Sequence, residues 1–352
     1  MEKLESFYKN RKVFVTGHTG FKGSWLVSAL LSFGAKVYGY SIIDHHKKNY
    51  QKFCDFKKVK NFYGNILDDK KLFSVISKVK PDMIFHLAAQ PLVSESYVEP
   101  KLTINTNVNG TLNILESVRK IKTIKSAVII TSDKCYQNNE VHRGYREADR
   151  LGGDDPYSAS KAAVEIIFNA YLKSNLFNIK NLGIATARAG NVIGGGDWSK
   201  NRIIPDCAKS ILKNKKLIMR NPNSTRPWQH VLEPISGYLI LGKKLRQHPK
   251  LYSSSYNFGP SDTQTLSVKK VVDIFFKELG VKKKIFRNKS TFKESKLLKL
   301  NSYKSRKKLY WKNTWGMKKS IEETAKWYKQ YIFNKIKLRD FTLSQIKQYF
   351  YD

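Results

Sequence analysis

Through the first half of the chain, short apolar runs alternate with longer segments in which apolar residues recur every three or four positions. Short runs suit strands buried on both faces of a parallel sheet, and the longer periodic segments suit helices that cover it. The runs predict strands at 12–16, 36–40, 83–87, 126–131 and 182–188. The periodic segments predict helices at 23–33, 70–78, 102–120 and 157–174. Pro156 suits the first turn of the last of these, where a missing N–H costs no hydrogen bond. After Gly190 the alternation fades. Gly194, Gly195 and Gly196 run into Asp197 and Trp198, and the remaining pattern gives helices at 203–213, 232–245, 268–279 and 321–331. The chain thus divides into regions 1–190 and 191–352. No Gly/Ser/Pro-rich linker separates them, so they are expected to pack together with chain crossings.

The first strand leads straight into Gly17-His18-Thr19-Gly20-Phe21-Lys22-Gly23 and then into a helix. In such a turn the first glycine permits the tight bend, the second lets backbone N–H groups approach a pyrophosphate, and the third lets the helix pack on the strand. The helix N-terminus attracts the same anion. This context makes the fold class α/β: a Rossmann-type doubly wound parallel sheet in 1–190 that binds a dinucleotide, with a smaller mixed α/β substrate region in 191–352. The second strand ends in Gly39-Tyr40-Ser41 instead of the usual ribose-binding acid, and Asp44 follows a few residues later. No Arg stands in the turn to meet a 2′-phosphate, which favours NAD over NADP.

Charge changes the picture more than composition does. The 352 residues carry 65 Lys plus Arg against 28 Asp plus Glu, a formal net charge of +37. Such a field attracts polyanions without selecting one, so a phosphorylated small substrate, nucleic acid and an anionic membrane face all remain open. No run approaches the roughly 20 apolar residues of a membrane span, and residues 1–12 lack a signal-peptide core, so a cytoplasmic protein without membrane attachment is expected. Cys54, Cys135 and Cys207 are widely spaced, and His45 and His46 have no further ligand at metal spacing. Neither a disulfide framework nor a metal site is expected.

Thr131-Ser132-Asp133-Lys134 follows a predicted strand, and Tyr157-Ser158-Ala159-Ser160-Lys161 opens a helix. The i, i+4 spacing puts Tyr157 and Lys161 on one helix face. A tyrosine near 10 must fall about three units to act as a base near neutrality, a change of roughly 4 kcal/mol. One cation at about 4 Å supplies about 4 kcal/mol at an effective dielectric near 20, so Lys161, helped by a positive nicotinamide ring, suffices in principle.

Together the glycine turn, Asn107-Val108-Asn109-Gly110 and the Tyr157/Lys161 pair resemble the extended short-chain dehydrogenase/reductases that act on nucleotide sugars. Four strings are similar, more narrowly, to the 4,6-dehydratases of the CDP-glucose branch: 17–26, 131–136, 187–198 and 226–234. The likeness extends over residues 11–327. It implies an internal redox cycle in which hydride leaves sugar C4 for NAD, water leaves across C5 and C6, and the hydride returns to C6. Tyr157 would take the C4 hydroxyl proton, Lys161 would assist it and hold the nicotinamide ribose, and Ser132 would hydrogen-bond the same hydroxyl. Asp133 and Lys134 would be the elimination pair, with the acid and base roles open between them.

The resemblance further implies that Gly17, Thr19, Gly20, Phe21, Lys22, Gly23, Asn65, Ile66, Ala88 and Asn107 line the cofactor, together with Tyr157 and Lys161. Gln90, Asn191, Trp198, Arg202 and Arg226 would face the nucleotide-sugar substrate, Arg226 offering a planar fork to phosphate oxygens. A homodimer or homotetramer built on the 102–120 and 157–174 helices is implied as well, as is a role in deoxysugar supply for surface polysaccharide such as O-antigen. Asn65 and Asn301 stand where the family pattern has Asp, and 292–296 stands where it has a His-bearing segment. Two other readings stay open: a dehydratase or epimerase for a GDP-, dTDP- or UDP-sugar, and a dinucleotide-binding regulator whose basic surface holds nucleic acid or an acidic protein. An acid/base pair after Ser132 is superfluous to a simple epimerase.

Overall fold

The computed structural model describes residues 3–43, 53–177, 179, 181–219, 221–260, 265–282, 285–287, 297–334 and 337–352. Asp44, His45, His46 and 292–296 lie outside them. A seven-stranded parallel sheet forms the centre. Six strands come from the first half: β1 (Lys12–Thr16), β2 (Lys36–Ser41), β3 (Lys60–Tyr63), β4 (Met83–His86), β5 (Ser126–Ile130) and β6 (Gly183–Arg188). The seventh is Ser255–Asn257. In space the order runs Ser255–Asn257, β6, β5, β4, β1, β2, β3. The winding direction reverses between β1 and β4, and at such a reversal the carboxyl ends of the strands open a crevice for a ligand.

Alternate side chains along each strand face opposite layers. Val13, Val15, Met83, Phe85, Val128 and Ala185 enter one core, while Phe14, Ile84, Ala127, Ile129 and Ile184 enter the other. That is why the runs are apolar throughout instead of alternating. The first layer is covered by α1 (Leu4–Tyr8), α2 (Phe21–Ser32) and the helices Leu232–Gln247, Val268–Leu279, Met317–Lys329 and Leu338–Tyr351. The second is covered by α3 (Asp69–Val79), then, beyond the short α4 (Val93–Val98) and α5 (Pro100–Ile104), by α6 (Gly110–Lys120) and α7 (Pro156–Lys173). Asp155 caps α7 by accepting from Ser158 N at 2.9 Å, and Pro156 stands in its first turn.

The C-terminal half takes part in the sheet itself. Ser255–Asn257 pairs with β6, and Ser126 Oγ donates to Gly242 O at 2.9 Å from β5 to the Leu232–Gln247 helix. The helix expected over 102–120 is interrupted: α5 passes through a π turn, Asn105–Asn109, into α6. Such turns are frequent at functional sites, and this one directs Asn107 inward. Strand β3, of mixed polarity and partly exposed at the sheet edge, and the C-terminal helix Leu338–Tyr351 lie outside the expected elements. Among the described residues no helix is long and apolar enough to cross a membrane, and no group of three or more His, Cys, Asp or Glu is placed to hold a metal.

Candidate active site

The crevice between β1 and β4 begins at Gly17, whose φ of +67° belongs to the left-handed region. A Cβ there would lie 2.7 Å from Ala88 N, so the turn runs directly against the chain leaving β4. A Cβ on Gly23 would lie 2.1 Å from Gly17 O, which ties the start of α2 to the turn. No side chain caps α2 at Gly20, so the helix start offers its backbone N–H groups to an anion. These features fit a dinucleotide pyrophosphate. Beside the turn, Thr19 Oγ1 lies 3.0 Å from Ser41 Oγ, and Asn65 Oδ1 accepts from Leu67 N at 3.0 Å. Ile66 O accepts from Asn113 Nδ2 at 2.9 Å.

A buried network fixes the far wall. Thr16 Oγ1 accepts from Leu87 N and Ala88 N at 3.1 and 3.2 Å, so its hydrogen goes to His86 Nδ1 at 2.7 Å. Burial pushes His86 down to about 3, which leaves a neutral ring whose Nε2 meets Thr111 Oγ1 at 3.1 Å. Asn107, from the π turn, accepts from Gln90 N at 2.8 Å and donates to Gln90 O at 3.1 Å and to Ser160 Oγ at 2.9 Å. The loop after β4 is thereby tied to α7. Gln90's own amide is engaged locally, donating to Leu92 O at 3.0 Å and Thr103 Oγ1 at 2.7 Å.

Ser132, Asp133, Tyr157 and Lys161 are all buried at the mouth of this crevice. The Lys161 ammonium stands 6.0 Å from the Tyr157 ring centroid. Ser132 Oγ donates to Asp133 Oδ1 at 3.0 Å, and Asn191 Nδ2 lies 3.4 Å from Asp133 Oδ2. Gly190 makes room for that carboxylate, because a Cβ on it would lie 1.7 Å from Asp133 Oδ2. Lys134 is half-buried and forms no ion pair with Asp133.

The electrostatics of the protein by itself show how much a bound cofactor would have to supply. In the protein by itself Tyr157 is not lowered: burial pushes it up to about 12, the contact with Ser132 pulling the other way and Asp133 adding to the rise. Burial also pushes Lys161 down to about 8, against the nearby Glu165 carboxylate. Desolvation disfavours the charged form of both groups, and at 6.0 Å from the ring centre the cation does not offset it. Lys22 is held down to about 8 by burial and then by Arg202, with Asp133 and Asp197 opposing. Arg202, ion-paired to Asp197 at 3.1 Å, also acts on Tyr157. Side chains from both halves of the chain therefore converge here.

Other expected substrate residues are less central. Trp198 packs on Tyr328 and Tyr331 at centroid distances of 5.3 and 4.8 Å, and its buried Nε1 has no partner. Arg226 lies on the short strand Thr225–Arg226, with Nη1 donating to Thr225 O at 2.9 Å. Asn301 Oδ1 accepts from Tyr303 N at 2.9 Å, a structural use. Sequence reasoning missed Glu165, Arg188, Gly190 and His86. Glu165 had a local signal, its place four residues after Lys161, and Arg188 and Gly190 lie within the string 187–198, whereas His86 had none.

With this geometry in view, comparison with known proteins is decisive. Residues 14–336 match the family model of GDP-mannose 4,6 dehydratase. The chain belongs to that family. It is accordingly an NAD-dependent nucleotide-sugar dehydratase of the extended short-chain dehydrogenase/reductase type, a hydro-lyase. It is 42% identical over 335 residues to the CDP-glucose 4,6-dehydratase of Salmonella typhimurium, covering 93% of each chain. The epimerase Mth375 of Methanothermobacter thermautotrophicus shares the fold with a TM-score of 0.82 at 22% identity, covering 96% of each chain. The dTDP-glucose 4,6-dehydratase of Bacillus anthracis, solved in complex with NAD, shares it with a TM-score of 0.74 at 24% identity over 91% of this chain and 97% of that one.

Proposed function

We propose that the protein converts CDP-glucose into CDP-4-keto-6-deoxyglucose. The observation that carries this is Asp133, held in a buried site beside Ser132, Tyr157 and Lys161 and followed by Lys134. Ser132, Tyr157 and Lys161 suffice to oxidise a sugar hydroxyl, and the acid/base pair Asp133 and Lys134 is needed only if water is then lost. The choice of nucleotide rests on the 42% identity to the Salmonella enzyme.

Gly17, Thr19, Gly20, Phe21, Lys22 and Gly23 would cradle NAD, with Asn65, Ile66, Ala88 and Asn107 beside it, and the bound cofactor would supply a hydride acceptor for C4 and a hydride donor for C6. Tyr157 takes the proton of the C4 hydroxyl while Ser132 orients that hydroxyl. Lys161 stabilises the tyrosinate. A C4 ketone acidifies the C5 proton, so a modest base removes it. Asp133 and Lys134 share this stage, one accepting the C5 proton and the other protonating the departing C6 oxygen. Arg202, Arg226 and Asn191 hold the pyrophosphate end, with Gln90 and Trp198 at the rim, and the +37 field aids capture of the anionic substrate. In this reading the enzyme works in the cytoplasm, feeding deoxysugar synthesis. Exposed Leu102, Ile104 and Ile166 on α5 and α7 favour a homo-oligomer joined through these helices.

The test is incubation of the purified protein and NAD with CDP-, dTDP-, UDP- and GDP-glucose in separate reactions, read by product mass. Loss of one water from CDP-glucose alone is the expected result. Loss from a different nucleotide sugar alone would overturn the nucleotide assignment, and loss from none of the four would overturn the CDP-glucose activity.

A further inference from the structure

Glu165 lies one helical turn beyond Lys161 on α7 and is fully buried, as is Arg188 on β6. Their ion pair measures 2.7 Å. The Glu165 carboxylate also accepts from Thr131 Oγ1 at 2.5 Å, Thr186 Oγ1 at 2.9 Å and Ser255 Oγ at 3.1 Å, from the residue after β5, from within β6 and from the start of the seventh strand. Arg188 Nη1 donates to Tyr136 Oη at 2.6 Å and to Glu147 O at 3.1 Å. Its guanidinium also lies over the Tyr136 ring, 4.9 Å from the centroid. Tyr136 Oη in turn donates to Asn257 Oδ1 at 2.8 Å. Thr131 immediately precedes Ser132, and Tyr136 follows the turn Asp133–Cys135. The two ends of the segment bearing Ser132, Asp133 and Lys134 are therefore held by the two members of one buried pair.

A buried ion pair is a poor source of stability, since apolar replacement is often neutral or better. Its location points to another use. We propose that Glu165 and Arg188 are positioning residues of the active site: they clamp both ends of the Ser132–Lys134 segment and set a fixed negative charge one helical turn from the Lys161 ammonium. This rests on the dehydratase reading only for its kinetic readout.

Among the described residues that act on Lys161, Glu165 is the carboxylate that supplies a counter-charge. From α7 it meets Tyr157 and Glu165, from the turn after β5 Cys135, from β4 His86, and from α2 Lys22. Burial holds His86 down to about 3 and Cys135 well above the usual thiol range, so both are neutral at working pH. Lys22 repels. Glu165 stays ionised because Arg188 lowers it against its burial. Removing its charge lowers the pH at which Lys161 loses its proton, so activity fails earlier on the alkaline side.

The experiment is Glu165→Gln in the full-length enzyme with NAD and CDP-glucose, with kcat and KM followed from about pH 6 to 10. A second readout, on the protein alone, is an NMR titration of the Lys161 side chain, assigned by its loss in Lys161→Arg. We expect the alkaline limb of kcat and the Lys161 titration to move down together by about one pH unit. KM should change less than about two-fold, because the substrate contacts are elsewhere. Glu165→Asp keeps the charge but withdraws the carboxylate from Thr131 and Ser255, so it should retain the limb and lose kcat. If Glu165→Gln does not fold, the apolar double variant Glu165→Leu/Arg188→Met should fold and give the same downward shift. An unmoved limb with an unmoved Lys161 titration would overturn the proposal. If no nucleotide sugar is dehydrated, the dehydratase reading fails while the titration still decides this one.

Discussion

Tyr157→Phe is expected to lower kcat for water loss by about 10³-fold, within the 10²–10⁴ that a positioned acid/base group contributes. The hydroxyl is buried, in contact with Ser132 and under the influence of Arg202 and Asp133. In the proposed mechanism, removing it deletes the proton acceptor for the C4 hydroxyl without altering the ring that packs there. Thermal stability should stay within about 1 kcal/mol, as for other substitutions that leave packing intact. Because burial above all drives Tyr157 up to about 12, with Ser132 opposing and Asp133 adding to the rise, the residue has little tyrosinate at neutral pH in the protein by itself. To act as the base of the proposed mechanism it would need positive charge from the bound cofactor in addition to Lys161. Full-rate turnover by Tyr157→Phe, measured as product mass per unit time, would remove Tyr157 from the chemistry.

Gly190→Ala is expected to cost about 10²-fold or more in kcat, the scale of a catalytic group misplaced by about 1 Å. The new methyl would fall 1.7 Å from Asp133 Oδ2, a distance no side chain sustains. Asp133 must then swing out, breaking its contacts with Ser132 and Asn191. Gly316 offers the control, since a Cβ there meets nothing within 4 Å. Gly316→Ala should turn over at the parent rate. Equal activity in the two variants, compared at matched concentration and temperature, would contradict the placement of Asp133 in the elimination step.

What the sequence made legible was local. The strand, glycine turn and helix at 12–32 follow one another without a gap, and the Tyr157/Lys161 spacing needs only a helix to align it. The rest depended on partners far along the chain. Ser255–Asn257 is three residues of mixed polarity whose strand character comes entirely from pairing with β6. The π turn at Asn105–Asn109 is set by Asn107 reaching the backbone of Gln90. Glu233, in a stretch expected to be helical, proves to anchor the C-terminal region. Its carboxylate accepts from Trp315 N at 2.7 Å, Thr314 N at 3.2 Å and Tyr349 Oη at 2.9 Å, while burial raises it to about 7. No periodicity announces contacts across about eighty residues or more. The rise of Tyr157 was likewise invisible, because spacing gives the partner of a charge but not the depth at which both are buried.

The central claim is an internal hydride transfer between two carbons of one sugar. Its most direct measurement uses CDP-glucose deuterated at C4, with catalytic amounts of NAD, and locates the label in the product by mass and NMR. The account predicts a product one water lighter that keeps the deuterium, now at C6, with the C5 position exchanged from solvent. Deuterium lost to the medium, or left at C4 of an undehydrated sugar, would contradict it.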